Sequence, residues 1–218
     1  MKKEKKIITL LTSAAFFVMS IFSTACTSSD NISSSSTTED DHVLSATTPK
    51  ENISTSKKYD SKELKIDLSD INSQYAVILD SESGEIIAEK NSDAKIAPAS
   101  MTKIMTAILA IENFDDMNTY LIMPSDAVVS AASVGGSLAG FYGGETVTPL
   151  DLIYGMLLPS GCECCIAAGI FISGSEDAFV ELMNQKAQEI GMTNTHFANT
   201  TGLPNENHYS TVHDIALL

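Results

Sequence analysis

Two short apolar runs, separated by a polar stretch, lie ahead of a long region with helical spacing. In YAVILDSESGEIIAEKN, which begins at Tyr75, aliphatic and β-branched residues lie on both sides of the polar segment 81–84. Such runs, bounded by turn-forming residues, predict two antiparallel strands joined by a turn. Because two strands alone form a poor sheet, this hairpin needs more strands beside it, and we expect this chain not to supply them.

After the hairpin, the spacing of the apolar residues becomes helical. Ile104, Ile108 and Ile111 recur at intervals of four and three, which places them on one face of a helix over residues 98–113. A second helix is predicted to begin with Thr148 as its cap and Pro149 at its first position, and to stop at Pro159. Three more helices are predicted: 164–172, 176–190 and one capped by residues 211–214.

The order of these elements is a hairpin followed by a mostly helical block. We therefore predict an incomplete α+β domain over residues 71–218.

The first 25 residues have the pattern of a signal peptide. MKKEKK is a basic head, and the apolar stretch that follows is shorter than the ~20 residues of a membrane-spanning helix. Small residues then precede a cleavage point between Ala25 and Cys26. The sequence predicts export, with the domain on the outer face of a bacterial cytoplasmic membrane or in the cell wall.

Residues 26–70 are predicted to be a flexible spacer. Fifteen of the 32 residues from Thr27 to Lys58 are serine or threonine, and none is aromatic. Such a segment buries too little apolar surface to offset its ordering entropy. Two interpretations of Cys26 stay open: it is the lipidated first residue of a lipoprotein, or it is the residue after an ordinary cleavage. In either case the membrane is expected to be contacted only through this N-terminal tether.

The charge of the chain argues against nucleic acid as a partner. The formal net charge is −15, and all 13 basic residues are lysines. Residues 1–25 carry four lysines and one glutamate, so the remainder has a formal charge of −18. Phosphate backbones would be repelled by such a protein.

The pattern Ser-x-x-Lys occurs three times, and one occurrence stands out. Ser54–Lys57 lies in the spacer and Ser92–Lys95 in a polar loop, whereas Ser100–Lys103 lies at the start of an apolar helix. A spacing of three places both side chains on one face, one turn apart.

This pair has the composition of an activated nucleophile. Burial favours the neutral amine of a lysine, which can then take a proton from a serine hydroxyl. Free N–H groups at a helix N-terminus can also stabilise an oxyanion. By itself, the pattern is more typical of a surface helix with a serine cap and an exposed lysine.

Three blocks of sequence decide between these interpretations. APASMTKIMTAILAIE, GGETVTPLDLIYGMLLPSG and HFANTTGLPNENHYSTVHDIALL occur in this order. Together they resemble the serine-type D-alanyl-D-alanine carboxypeptidases, the low-molecular-weight penicillin-binding proteins of peptidase family S11. The resemblance covers residues 73–218 and implies a β-lactamase/transpeptidase-like fold, an antiparallel sheet with a helical block.

The resemblance also implies roles for individual residues. Ser100 would be the acylated nucleophile, Lys103 its general base, and Ser160 in LLPSG the proton relay of the family's Ser-x-Asn motif. The expected substrate is a peptidoglycan stem peptide ending in D-Ala-D-Ala, with β-lactams as covalent inhibitors and with no cofactor. Removal of the last D-alanine would also remove the target of vancomycin-type antibiotics.

Two departures from the family stand out. Cys162 occupies the asparagine position of Ser-x-Asn, and a thiol is a much weaker donor and acceptor than an amide. We therefore expect a weaker contact to the substrate there. The family's third motif, Lys-Thr/Ser-Gly, does not follow Ser160, so we expect its strand to be missing from this chain and the chain as written to be poorly folded or inactive.

The segment CECC at 162–165 suggests a metal site only superficially. Three thiols on four residues cannot easily surround one zinc ion, and no histidine is near them in sequence. We expect small buried residues at the start of a core helix and no metal. His196, His208 and His213 are expected to be loop and capping residues.

Two alternative functions stay open at this point. A serine β-lactamase shares the fold and the Ser-x-x-Lys helix but would release hydrolysed penicillin quickly. An inactive, truncated penicillin-binding pseudoenzyme is favoured by Cys162 and by the missing third motif. A zinc peptidase is disfavoured, because the sequence has no paired His/Asp/Glu ligand pattern.

Overall fold

The computed structural model describes residues 66–218. The predicted signal peptide, most of the predicted spacer and Cys26 lie outside the described residues, so these predictions stay untested. None of the helices within 66–218 is both long and apolar enough to cross a membrane.

The predicted hairpin is present. Strand β1 (Ala76–Leu79) pairs antiparallel with β2 (Ile86–Lys90), with Ala76 opposite Lys90. The side chain of Asp80 closes the turn by accepting the backbone N–H groups of Glu82 and Ser83. Within residues 66–218, one further strand pair is present, β3 (Leu121–Ile122) with β4 (Thr146–Val147).

The described residues contain six α-helices. They are α1 (Thr102–Asn113), α2 (Ser125–Ser133), α3 (Pro149–Leu157), α4 (Cys162–Ser173), α5 (Glu176–Glu189) and α6 (Val212–Leu217). A 3₁₀ turn, Ala99–Met101, precedes α1, so the predicted helix over 98–113 has an irregular first turn. Helix α2 was not predicted from the sequence.

The predicted caps account for where two helices begin. The Thr148 hydroxyl accepts the N–H of Asp151, and the Asp151 carboxylate accepts the N–H of Thr148, so α3 begins with a capping box. Thr211 caps α6 in the same position by accepting the N–H of Asp214. These side-chain oxygens satisfy backbone donors that a helix leaves free at its N-terminus.

Helix α4 is the centre of the molecule. It contacts α1, α2, α3 and α5, and its residues 162–169 are all buried. A helix that is apolar on every side belongs in a core, and the small residues of α4 let its neighbours approach closely. Helix α1 lies between two apolar clusters, with Ala107 and Ala110 facing α4 and with Met105 and Leu109 packed against α5. This packing holds the first turn of α1 beside the turn that precedes α4.

Candidate active site

Ser100 lies in the 3₁₀ turn immediately before α1, and its side chain is exposed. The turn is closed by a hydrogen bond from the N–H of Met101 to the carbonyl of Pro98. Ala99 has a φ of +48°, a conformation that residues with a Cβ rarely adopt. The backbone is thus bent just before the serine, and Ser100 is exposed to solvent.

Lys103 lies one turn further along and is almost fully buried, with 3% of its surface exposed. Its Nζ donates to the Ser100 Oγ at 3.4 Å and to the carbonyl of Thr201 at 2.7 Å. The second contact fixes the ammonium or amine group from the far side. A surface helix with an exposed lysine is therefore not what the chain forms here.

Ser160 approaches the same hydroxyl from the turn between α3 and α4. Its Oγ donates to the Ser100 Oγ at 3.1 Å, across 60 residues of sequence. Ser160 has a φ of +64°, in the left-handed region, and is the last residue before Gly161 and α4. The structure therefore brings together all three residues that the sequence singled out.

Cys162 lies close by, and its side chain is buried. Its side chain is 2% exposed, and its Sγ is 4.0 Å from the carbonyl of Ser160, a weak contact. A Cβ on Gly136 would lie 3.0 Å from this Sγ, so the thiol packs against the Gly136 backbone. The thiol therefore contacts protein, and a substrate contact at Cys162 stays a prediction.

Glu163, the next residue, ties the segment 136–140 to the start of α4. Its Oε1 accepts the N–H groups of Ala139 at 2.6 Å and Gly140 at 3.0 Å, and the side chain is fully buried. The N–H of Cys162 also donates to the carbonyl of Ser137 at 2.7 Å. These contacts hold the backbone that carries Ser160.

The other described Ser-x-x-Lys pattern does not form a pair. The Ser92 Oγ donates to the Glu89 carboxylate at 2.6 Å, whereas the Lys95 Nζ lies 3.4 Å above the ring of Tyr209. Ser54 and Lys57 lie outside the described residues.

Lys103 donates to the carbonyl of Thr201, and the sequence did not reveal which residues hold that carbonyl in place. Asn199 Oδ1 accepts from the N–H and the hydroxyl of Thr201, each at 3.1 Å, and from the N–H of Gly202 at 2.7 Å. Glu176, at the start of α5, accepts the N–H and hydroxyl of Thr200. The Asn-x-x-Gly pattern at 199–202 is a turn signal that could have found this loop, but not its contact with Lys103.

Gly202 is placed where no side chain fits. Its φ is +81°, and a Cβ there would overlap the carbonyl of Ala99. The loop and the residue before Ser100 therefore touch backbone to backbone. Beside this contact is a cavity of about 450 Å³, lined by Ala97, Pro98, Ala99, residues 202–206 and His208. Ser100, Lys103 and Ser160 are not among the residues that line it.

Comparison with known proteins places this site in a family. A family model described as D-alanyl-D-alanine carboxypeptidase matches residues 58–218. The chain belongs to the D-alanyl-D-alanine carboxypeptidase family. The carboxypeptidase DacF of Bacillus subtilis is 43% identical over 143 residues, which are 66% of this chain and 37% of that protein. The chain thus spans little more than a third of the length of this relative.

Solved structures of the D-alanyl-D-alanine carboxypeptidase family agree with the fold. The DacD crystal structure from Francisella tularensis has a TM-score of 0.62 at 42% identity, covering 67% of this chain and 36% of its own. Penicillin binding protein 5 from Haemophilus influenzae has a TM-score of 0.65 at 29% identity, covering 70% of this chain and 45% of its own. The predicted transpeptidase-like α+β fold class is confirmed.

Burial disfavours the thiolate form of two cysteines in α4, Cys164 and Cys165. Burial raises the pKa of the Cys164 thiol far above its ordinary value, and the neighbouring Glu163 charge raises it further. Burial likewise raises the pKa of Cys165, although the positive charge of Lys103 opposes the effect. A protonated thiol is neither a nucleophile nor a metal ligand. Cys162, Cys164 and Cys165 are free and buried, as expected for small residues in a core helix.

The three histidines that the structure describes are dispersed around the loop 195–214. Within residues 66–218, no group of three or more His, Cys, Asp or Glu side chains is placed to hold a metal ion. His196 stacks on Tyr209, and His213 lies near Asp214. His208 differs, because burial, together with the nearby His196, lowers the pKa of its ring to about 4.

Proposed function

We propose that the protein that carries this chain is a serine D,D-carboxypeptidase acting on peptidoglycan stem peptides that end in D-Ala-D-Ala. The supporting observation is the convergence on one exposed hydroxyl: Lys103 Nζ lies 3.4 Å and Ser160 Oγ 3.1 Å from Ser100 Oγ. A nucleophile within reach of a base and of a second proton carrier is the arrangement that acyl transfer requires.

In the proposed first step, the Ser100 Oγ attacks the carbonyl carbon between the two D-alanines while its proton passes to the Lys103 amine. The C–N bond then breaks, and a proton delivered through Ser160 leaves with the amine of the released D-alanine. Water hydrolyses the resulting ester, which restores the serine and yields a peptide shortened by one residue. A β-lactam would follow the first step but leave slowly, because its amine stays tethered.

The decisive experiment is covalent labelling with a fluorescent penicillin, performed on the full gene product. We expect one adduct, located by mass spectrometry on the peptide containing Ser100, and none in Ser100→Ala. Ser92→Ala is the matched control, since it alters the other described Ser-x-x-Lys pattern, and it should label normally. An adduct at another residue, or no adduct on the wild-type protein, would overturn the proposal.

Two further measurements distinguish neighbouring functions. Release of free D-alanine from a pentapeptide supports the carboxypeptidase, whereas rapid release of hydrolysed penicillin would instead identify a β-lactamase.

Removal of the terminal D-alanine also removes the group that glycopeptide antibiotics bind, so we propose a contribution to glycopeptide resistance. Deletion of the gene should then lower the inhibitory concentration of vancomycin, and an unchanged concentration would refute that contribution.

We also propose that the domain acts outside the cytoplasmic membrane, exported by residues 1–25 and tethered at its N-terminus. The support is the sequence alone, with its basic head, its apolar stretch and its small residues before Cys26. Fractionation of cells expressing the wild-type protein and Cys26→Ala tests the tether. If Cys26 is lipidated, the variant should leave the membrane fraction, and equal partitioning of both proteins would refute lipidation.

A further inference from the structure

Polar side chains in the first two turns of α1 form hydrogen bonds with the loop 198–208. The Thr102 Oγ1 lies 2.8 Å from the His208 Nε2, and the Lys103 Nζ donates to the Thr201 carbonyl. One turn further on, the Thr106 Oγ1 donates to the Thr200 carbonyl at 2.7 Å. All three side chains of α1 are buried, so water cannot replace these bonds.

The hydrogen bonds of His208 define its protonation. The N–H of Ala198 donates to the His208 Nδ1 at 3.2 Å, which requires a lone pair on that nitrogen. In a neutral imidazole the proton then lies on Nε2, and Nε2–H donates to the Thr102 Oγ1. In this single tautomer the ring joins Thr102, in the first turn of α1, to the backbone at Ala198. The hydrogen bond to Thr102 spans 106 residues of sequence.

From this bridge we propose that His208 is a positioning residue for acylation: its uncharged ring holds Lys103 at the correct distance from Ser100. The inference rests on the proposed function. His208 touches neither of those residues and acts through Thr102, the neighbour of Lys103, and through Ala198, three residues before the carbonyl that Lys103 binds. Without the ring, the buried Thr102 hydroxyl and the Ala198 N–H would each lose a partner.

A charged ring cannot make the same bridge. Protonation makes both ring nitrogens donors, so Nδ1–H would face the N–H of Ala198. The titratable groups that the structure places near the ring are His196 on the adjoining segment and Glu206, which lines the same cavity. Burial lowers the pKa of His208 to about 4, and His196 acts in the same direction, so the ring is neutral near pH 7.

Two substitutions separate positioning from general stability. His208→Ala removes both hydrogen bonds, and we expect the acylation rate constant for a fluorescent penicillin to fall about tenfold to a hundredfold, because small displacements of catalytic groups have effects of this size. The affinity for the penicillin before acylation should change much less. His208→Gln offers one acceptor and one donor but cannot take up a proton, and it should restore most of the rate at pH 7. His196→Gln, a neighbouring histidine bonded only to the Asn207 carbonyl and Tyr209, is the control and should label normally.

The pH profile is the readout that a purely structural role would not change. At about pH 4, half of the His208 rings are charged, so the wild-type protein should acylate at about half the rate of His208→Gln and fall further behind below that pH. Nitrogen-15 NMR of the imidazole at pH 7 should show a protonated Nε2 and an unprotonated Nδ1.

Several outcomes would overturn the inference. An unchanged acylation rate in a folded His208→Ala would do so, as would acid limbs that coincide for the wild type and His208→Gln. If His208→Ala does not fold, the comparison with His208→Gln and the NMR measurement still decide. A wild-type protein without any adduct at Ser100 would instead refute the proposed function and this inference with it.

Discussion

Two walls flank the Ser100 hydroxyl: the lysine side, which carries Lys103, and the serine side, which carries Ser160. The two walls are held in place by different interactions. On the lysine side, α1 is joined to the loop 198–208 by side-chain hydrogen bonds, such as Lys103 to Thr201 at 2.7 Å. On the serine side, besides the buried Glu163 carboxylate, the turn before α4 is held by close backbone contacts at glycines: the N–H of Gly161 donates to the Gly155 carbonyl at 2.8 Å. A Cβ on Gly161 would lie only 2.7 Å from the Cβ of Ala139.

This difference predicts which kind of substitution should destabilise each wall. Buried polar groups lose free energy when a partner is removed, so the lysine side should be sensitive to deletions of hydrogen-bonding groups. Close backbone packing has no room for added atoms, so the serine side should be sensitive to gains in volume. One glycine, Gly202, belongs to the lysine side and yet depends on close packing, and it offers the most severe test.

Gly202→Ala should have the largest effect, because it combines both vulnerabilities. The new Cβ would overlap the Ala99 carbonyl and would also require a φ of +81°. We expect a loss of more than about 4 kcal/mol of unfolding free energy, or failure to fold, measured by thermal denaturation with penicillin labelling alongside.

The matched control is Gly174→Ala, at the C-terminal end of α4. Gly174 has nearly the same φ, +82°, but nothing lies within 4 Å of its added Cβ. Strain alone should cost about 1–2 kcal/mol there. Equal losses in both variants would show that the contact with Ala99 contributes nothing.

Lys103→Met should have the next largest effect and should act on rate. The substitution keeps an unbranched apolar chain of similar length but removes the amine that contacts Ser100. Loss of a general base lowers rates by about 10²–10⁴-fold, so we expect penicillin acylation to fall by that factor. Lys95→Met is the control, since that amine lies over Tyr209, and it should change the rate less than twofold. A Lys103→Met protein that labels at the wild-type rate would exclude Lys103 as the base.

The sequence predicted the parts of both walls that depend on local patterns. The Ser-x-x-Lys helix start, the Thr148 cap with Pro149, and the serine after Pro159 are each written within a few consecutive residues. Local spacing determines such features because a helix turn or a cap is completed by neighbours in the chain.

The parts that were missed have physical reasons. The carbonyl of Thr201 binds Lys103 from 98 residues away, and a backbone acceptor has no residue type that could reveal it. His208 was expected to be a loop or capping residue, but its ring bridges two distant segments. Helix α2 was missed because its buried positions, Ala127 and Ala131, are alanines and give a weak apolar stripe.

Comparison of Ser160→Ala with Ser160→Gly tests whether the left-handed backbone at Ser160 stores strain. Both remove the hydroxyl near Ser100, so both should slow acylation, by about tenfold to a hundredfold for a group that assists proton transfer. Glycine accepts a φ of +64° without a steric penalty, whereas alanine does not, so Ser160→Gly should be more stable by about 1 kcal/mol. Urea denaturation measures this difference. Equal stability of the two variants would mean that the turn relaxes and stores no strain.

Cys162→Asn should have the smallest effect. It tests whether the thiol contributes to the serine side. The thiol is wedged between Gly136 and the Ser160 carbonyl, and its weak contact at 4.0 Å is the only side-chain hydrogen bond that it makes there. An amide is a stronger donor, and one added hydrogen bond to a peptide substrate is worth about 1 kcal/mol, so we expect acylation to rise by up to about fivefold. The gain is limited because the amide is branched and must fit where a Cβ on Gly136 would already be 3.0 Å from the sulfur. Cys162→Ala supplies the reference, since it removes the thiol without adding an amide. If the asparagine and alanine variants lose activity equally, the thiol itself helps to hold the turn.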